Sequence, residues 1–523
     1  MARRVINIVN FIRGEEPRFE VEADFLFQPV REQMALLKHA RMPATWLLQY
    51  DALVAGPYVP FLLEQAPADH EIGLWFEINR IHCDHAGIAF HGRGGWGWDW
   101  HSNAALSVGY TREERVALAD TAVEAFTRRL GRPPRSVAAW YIDAFTLEHF
   151  ARRHGIVASA NCKEQVGTDG YTLWGGLFSG GYYPSRHNAL TPARHPEDQV
   201  PLPVFRMLGA DPIHQYDADV GTGHQQQVLT LEPVYGAAGA DPQWVERYLD
   251  IIAFAPALGL SYAQAGQENS FGWEKMRGGY VMQLDKIRQR RDAGTLVVET
   301  LAQTGEWFAR SFAATPAQAQ VAATDTMGGH RGAIWYGCRN YRAGLAFEGG
   351  RVALRDLHVY HDHYCEPYLN RPCPGRDAVL DALPILDGHR WSGPDAAARG
   401  GFRIAAAPDA PEVRVVGPLK VTETSDSQLL VSAPLGNGDQ LELHFQVDRI
   451  DIRLRAMPTA RLELRLQWSR RASAAVRSAS ADKIDFSHGG VAYALGLASA
   501  TAALGPGGSL AILADCSQLG LIP

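Results

Sequence analysis

The stretch Met42-Pro43-Ala44-Thr45-Trp46-Leu47-Leu48 decides how the rest of the chain is read. A helical pattern over about 28–39 runs into it, and a second apolar run, Glu71-Ile72-Gly73-Leu74-Trp75, follows it. Short apolar runs without polar alternation are what a parallel sheet buried on both faces requires. Outward from there the same texture recurs at 5–12, 136–143, 156–161, 204–208, 228–234, 260–264 and 295–300. Helical patterns separate these runs. Thr111 and Glu114 make a capping-box pair ahead of a helix that stops at Leu130-Gly131, before Pro133-Pro134. Further helices are predicted over 243–254 and 274–292. Repeated strand–helix units predict an α/β barrel or a doubly wound sheet through about residue 310.

Beyond residue 330 the texture changes. Runs at 343–347 and 352–360 flank Gly349-Gly350 as a hairpin, and 412–416, 419–424, 428–433, 440–446, 450–455 and 461–468 alternate apolar and polar residues. Gly436-Asn437-Gly438-Asp439 supplies a turn. This pattern predicts an antiparallel β-sandwich over roughly the last 190 residues, with 372–401, rich in Pro, Gly, Asp and Ala, as a long connection inside it.

Composition narrows the function classes. The chain has 523 residues, a net charge of −7 and 20% charged residues. No long run of one sign exists, so an electrostatic nucleic-acid binder is not expected. No apolar stretch reaches the roughly 18–20 residues that a membrane span needs. Arg3 and Arg4 precede the apolar run 5–12, but Asn7 and Asn10 interrupt it and Arg13-Gly14-Glu15-Glu16 follows it, so it is read as a buried strand rather than a signal peptide. The six cysteines, Cys83, Cys162, Cys338, Cys365, Cys373 and Cys516, show no CxxC spacing and fit reduced thiols in a cytoplasmic protein.

The order 42–48, 71–75, Gly109-Tyr110-Thr111, Leu130-Gly131-Arg132-Pro133-Pro134, Trp140-Tyr141-Ile142-Asp143 and His154-Gly155-Ile156 resembles the NodB-homology barrel of polysaccharide deacetylases. Family 57 and family 38 glycoside hydrolases use a similar barrel. The resemblance implies a distorted (β/α)7-type barrel, assigned to 1–330 as the catalytic domain, followed by a C-terminal β-sandwich domain over 331–523. It also implies a metal held by an Asp after the first strand and two His after the third. Here the first strand ends Asn10-Phe11-Ile12-Arg13 and the third ends Trp75-Phe76-Glu77-Ile78-Asn79, with none of those ligands. The expectation is therefore a barrel with its metal site removed, needing no cofactor.

Carboxylates remain at the strand ends, where α/β barrels carry their chemistry. They are Glu77, Asp143, Glu232, Glu268 and Glu299. An acid following an apolar strand must be paired or hydrogen-bonded, and the plain alternative for each is an ion pair with an arginine such as Arg13 or Arg206. Glycoside cleavage needs two carboxyls, about 5–5.5 Å apart for retention or about 6.5–9.5 Å for inversion. Asp143 is expected as nucleophile or base and Glu268 as general acid, with Glu77 in reserve. Their places resemble those in family 57, where the types are Glu and then Asp.

Aromatic loops favour a sugar substrate. Trp96, Trp98 and Trp100 lie among glycines beside Asp99 and His101, and Trp174, Tyr182, Arg186 and His187 mark a second loop. Asn269 and Trp273 flank Glu268. These residues are expected to bind substrate, although large core-filling rings are the alternative. His358, His361 and His363 offer metal-like spacing in the β-domain, but in a strand His361 and His363 share a face while His358 points away; His82 and His85, around Cys83 and Asp84, are similarly ambiguous. Arg339, Tyr341 and Arg342 could cap the barrel mouth or join the two halves. No P-loop, nucleophile elbow or dinucleotide fingerprint is present. The expected protein is a metal-independent glycoside hydrolase acting on a short oligosaccharide. The alternatives are a deacetylase whose metal is held by His82, Asp99 or His101, and a non-catalytic carbohydrate binder.

Overall fold

A computed structural model describes residues 2–219, 226–389, 400–405, 411–455, 461–467, 475–498, 501–504, 509–514 and 518–522. Seven strands, β1 (Arg3–Ile12), β2 (Thr45–Leu48), β3 (Glu71–Trp75), β4 (Ser136–Ala138), β5 (Ala158–Asn161), β6 (Val204–Arg206) and β7 (Leu260–Ala265), lie parallel in the order β7-β1-β2-β3-β4-β5-β6. β1 carries two neighbours on one side. Its first half pairs with β8 (Val297–Glu299) through Val5 and Val297, and its second half pairs with β2 through Val9 and Thr45. From Val5 onward every residue of β1 is buried, which explains the unbroken apolar run. Asn7 survives there because its Nδ2 donates to Glu299 O at 2.8 Å and Thr304 Oγ1 at 2.7 Å.

The expected closed (β/α)7 barrel is realised as an open, curled sheet. β6 uses its outer edge to pair with the antiparallel strand Gly181–Tyr182, so those backbone groups are spent. Among the described residues no ladder joins β6 back to β7. Helices α1 (Phe27–Ala40), α2 (Arg112–Leu130), α4 (Pro242–Phe254) and α5 (Trp273–Asp292) follow the predicted pattern, and α3 (Ala144–His154) and α6 (Leu301–Ser311) add to it. The capping box on α2 forms: Glu114 N donates to Thr111 Oγ1 at 3.3 Å and Thr111 N to Glu114 Oε2 at 2.8 Å.

The C-terminal part holds two antiparallel sheets. One is ordered Gln318–Ala322, Gly332–Gly337, Tyr341–Glu348, Arg351–Val359, Gly400–Ala405, Arg461–Gln467, Ser509–Ala514, Thr501–Leu504. The other is ordered Lys420–Ser425, Gln428–Pro434, Gln440–Phe445, Ile450–Arg455, Gln518–Ile522, Val491–Ala498, Lys483–His488, Ala475–Ala479. Ile334 and Leu345 of the first share a core with Val431 and Leu443 of the second, and Tyr336 stacks on Phe445 at 5.5 Å. Gly349 and Gly350, at φ 57° and 77°, make the tight turn predicted between 343–347 and 352–360.

Three readings change. Residues 228–234 form no strand, only a bridge from Thr230 to Ala210, because Pro233 lacks the N–H that a ladder would use. The connection 372–401 contains Ala378–Asp381, paired in parallel with Tyr171–Trp174 beside the curled sheet, and Leu383–Asp387, paired with Arg351–Val359; its residues 390–399 lie outside the described residues. Over 412–416 only a bridge from Val415 to Leu435 forms. Trp468, at the end of a predicted strand, and Cys516 also lie outside the described residues, and the other five cysteines are free. No helix among the described residues is long and apolar enough to cross a membrane.

Candidate functional site

The residue directly after β1 organises the mouth of the curled sheet. Arg13 is 3% exposed, and its guanidinium lies between two carboxylates that follow other strands. Its Nε and Nη2 donate to Glu77 Oε2 at 3.0 and 2.8 Å, and its Nη1 to Glu268 Oε2 and to Ser270 Oγ, the latter at 3.1 Å. Ser270 Oγ donates to Glu268 Oε1 at 2.7 Å, and Trp75 Nε1 to Glu77 Oε2 at 3.1 Å. The Trp98 ring covers Arg13 at 4.3 Å and Arg18 at 5.1 Å. Burial pulls the Arg13 pKa down, but Glu268 and Glu77 more than reverse this, so the cation is permanent. Asn269 locks the geometry: its Oδ1 accepts from Arg13 N and its Nδ2 donates to Arg13 O, both at 2.9 Å.

This clamp stands at the strand ends where the resemblance implies a metal. The residues do not fit one. A guanidinium offers no lone pair, and a second cation beside it would be repelled. The alternative ligands do not converge either. His82 is buried on Tyr50 at 4.3 Å with its Nε2 2.8 Å from Leu118 O, and burial pushes its pKa down to about 4. Asp99 is gripped by Arg93 Nε and Nη2, both at 2.8 Å, with His101 Nδ1 at 3.2 Å. Two His/Asp groupings with metal-like spacing occur among the described residues, and neither contains His82, Asp99 or His101.

A second set of titratable groups includes Glu232, named among the acids in the sequence, and two residues the sequence reading did not select, Lys163 and Asp169. Glu232 is 6% exposed, and Thr230 Oγ1 donates to its Oε2 at 2.8 Å. Burial pushes its carboxyl up to about 7. Lys163, two residues beyond β5, is 2% exposed and donates to Glu164 O at 3.1 Å; burial lowers its pKa. Asp169, at φ 53° on the tip between strands Gln165–Thr168 and Tyr171–Trp174, reaches solvent yet is walled by protein, which raises its carboxyl. Glu232 feels the charges of Lys163, Glu268 and Asp169, and Asp169 those of Arg13, Glu77 and Lys163, so the two sets are electrostatically coupled. Burial also raises Glu268, against the pull of Arg13 and Arg18. A cavity of about 650 Å³ opens beside the clamp, lined by Glu15, Glu16, Asp51, Phe27 and Tyr58.

Asp143 belongs elsewhere. It caps α3, accepting from Thr146 N at 3.0 Å and Thr146 Oγ1 at 2.7 Å, and pairs with buried Arg115 at 3.1 Å. Both its oxygens are thus committed to structure. Asp143→Ala is expected to lose about 1–2 kcal/mol for the cap and more for the unpaired Arg115, whereas Asp143→Asn keeps an acceptor and loses less; urea unfolding measures both. Glu299 pairs with Arg3 at 2.6 Å, at the opposite, N-terminal side of β1.

The aromatic residues also divide. Trp96 and Trp100 sandwich Arg93 at 3.6 and 4.1 Å. Trp174 is fully buried, its Nε1 donating to Asp387 Oδ2 at 2.8 Å. Tyr182 is fully buried, its hydroxyl donating to Ala189 O at 2.7 Å. Arg186 reaches Glu148 at 3.6 Å, His187 N donates to Ser185 Oγ at 3.2 Å, and Trp273 opens α5. Of the expected site residues, the structure gathers Glu77, Glu268, Trp98 and Asn269 around Arg13. The clue to the missed half was Cys162-Lys163-Glu164, three polar or reactive residues directly after a buried strand.

A buried charge chain fixes this site to the antiparallel part. Glu164 is held by Arg206 Nη2 at 3.1 Å, Arg342 Nη1 at 3.0 Å and Gly175 N at 2.9 Å. Arg342 grips Asp356 through two bonds of 2.9 and 3.0 Å, and Asp356 meets His358 Nδ1 at 3.0 Å. Arg342 therefore joins the two halves, and His358 is an inner, buried member of that joint.

No known protein family matches the chain, and no curated protein resembles it in sequence. Among solved structures it is similar to a candidate glycoside hydrolase/deacetylase of Parabacteroides distasonis at 14% identity and TM-score 0.52, covering 72% of this chain and 91% of that one. Weaker matches include candidate polysaccharide deacetylases of Mycobacterium smegmatis (11% identity, TM-score 0.33, 58% and 89% covered) and Pseudomonas aeruginosa PAO1 (12%, 0.34, 60% and 93%). At 14% identity the likeness to the Parabacteroides distasonis protein is one of fold.

Proposed function

We propose that the chain is a carbohydrate-processing hydrolase, with 1–330 as its catalytic part, whose reaction is carried by carboxyls in the mouth. Glu232 gives up a proton and Glu268 acts as base, with Glu77 holding Arg13 in place. The observation that carries this reading is the contrast between the two acids. Burial pushes the Glu232 carboxyl up to about 7 and it makes no ion pair among the described residues, whereas Glu268 lies in a buried ion pair with Arg13. Lys163, whose charge Glu232 feels, supplies positive charge toward oxygens that become negative as the bond breaks.

Release of an acyl group from an acylated sugar is favoured first, by the fold-level likeness to a protein described as a glycoside hydrolase/deacetylase. Cleavage of a glycosidic bond is the second reading, favoured by the pair of carboxyls itself. Incubation with acetylated and deacetylated oligosaccharides, scored for acetate and for new reducing ends, separates the two. Product from neither, with sugar binding in calorimetry, overturns the hydrolase in favour of a binding protein.

The same acid leaves a mark on stability. The folded Glu232 pKa is about 7, above the ordinary carboxylate range near 4, so between these values the folded chain holds a proton that the unfolded chain has lost. Its contribution to stability therefore falls as pH rises through that window. His82, lowered to about 4 by burial, works the other way, so wild type and Glu232→Gln must be compared. The variant is expected to gain stability relative to wild type between pH 5 and pH 8, read from urea midpoints.

A further inference from the structure

Away from the mouth, on the outer helices, α2 and α3 present a side-chain group that the proposed reaction does not use. His149 Nε2 and His154 Nε2 each lie 2.7 Å from the same atom, Asp120 Oδ1. The two rings meet edge to face with centroids 5.3 Å apart, and one donor atom from each of the three residues lies within 4.8 Å of the others. Their side chains are 18%, 12% and 35% exposed, so the group is held by packing yet open to ions from solvent. His154 reaches the others because it is the last residue of α3, ahead of Gly155 at φ 67°.

We propose that Asp120, His149 and His154 form a binding site for one divalent transition-metal ion of the zinc, cobalt or nickel type. Two imidazole nitrogens and one carboxylate oxygen are the donors such ions prefer, and magnesium or calcium would want an all-oxygen set. In the metal-free arrangement each Nε2–H donates to Asp120 Oδ1, so on binding each Nε2 gives its proton to solvent while Nδ1 takes one up, and the freed Nε2 lone pair turns to the ion. Three protein donors leave a fourth position for water. Glu124, one turn along α2 from Asp120, lies in the adjoining groove and adds negative charge, while Arg128 and Arg153 in that groove oppose the ion. The ion would cross-link α2 to α3, apart from the strand ends where the resemblance implies a metal.

The test is titration of the full chain with Co²⁺ alone, followed by calorimetry and by visible absorption from tetrahedral cobalt. One equivalent is expected in wild type and in His195→Gln, a variant that breaks the other metal-like group, His195 with Asp198 and Asp362. His149→Gln and His154→Gln are each expected to weaken binding by more than the roughly 10–100-fold typical of losing an outer-shell partner. Asp120→Asn, which keeps size and hydrogen bonding, should do the same without disturbing the fold. Absence of binding at millimolar cobalt overturns the site, as does binding unchanged in both histidine variants or abolished by His195→Gln alone.

Discussion

Glu164→Ala is expected to destabilise the chain by about 3–5 kcal/mol, the loss typical when one partner of a buried ion pair is removed. Glu164 is 1% exposed and bears on two guanidiniums, Arg206 and Arg342. Arg342 itself is fully buried. Without the carboxylate, Arg206 keeps no acidic partner within ion-pair distance among the described residues, while Arg342 retains Asp356. The urea midpoint should fall steeply. Because the pair spans β5, β6 and the strand Tyr341–Glu348, the two parts are also expected to lose cooperativity, seen as transitions that differ between tryptophan fluorescence and circular dichroism. A loss below about 1 kcal/mol, the size of an exposed pair, would show that this chain does not hold the halves together.

The second large effect concerns the reaction. Glu232→Gln is expected to lower turnover by about 10²–10⁴-fold, the contribution of a positioned acid, while leaving sugar binding within a few-fold. Wild type should show an alkaline limb in kcat/KM near pH 7, where Glu232 gives up its proton. That limb should vanish in the variant. Full activity in Glu232→Gln would remove this residue from the mechanism and leave Glu268 without an acid partner.

Much of the architecture was legible because it rests on local rules. The buried run 5–12, the capping pair Thr111 and Glu114, and the glycines at 349 and 350 each specify one conformation by burial, hydrogen bonding or backbone freedom. The open edge at β6 was not legible, since its partner Gly181–Tyr182 is a two-residue strand without a periodic signal. Nor was the parallel pairing of Ala378–Asp381 with Tyr171–Trp174, which joins segments about 200 residues apart.

The site divides along the same line. Sequence alone determined that acids follow buried apolar runs such as 71–75 and 260–264, because this follows from residue type and position. Only the tertiary structure decided which acid does what. Asp143, Glu77 and Glu268 look alike in sequence, yet one caps a helix on Arg115 while the other two meet on Arg13. The reason is physical: a carboxyl takes its charge state from the groups folded against it, and those come from strands that have no fixed spacing along the chain.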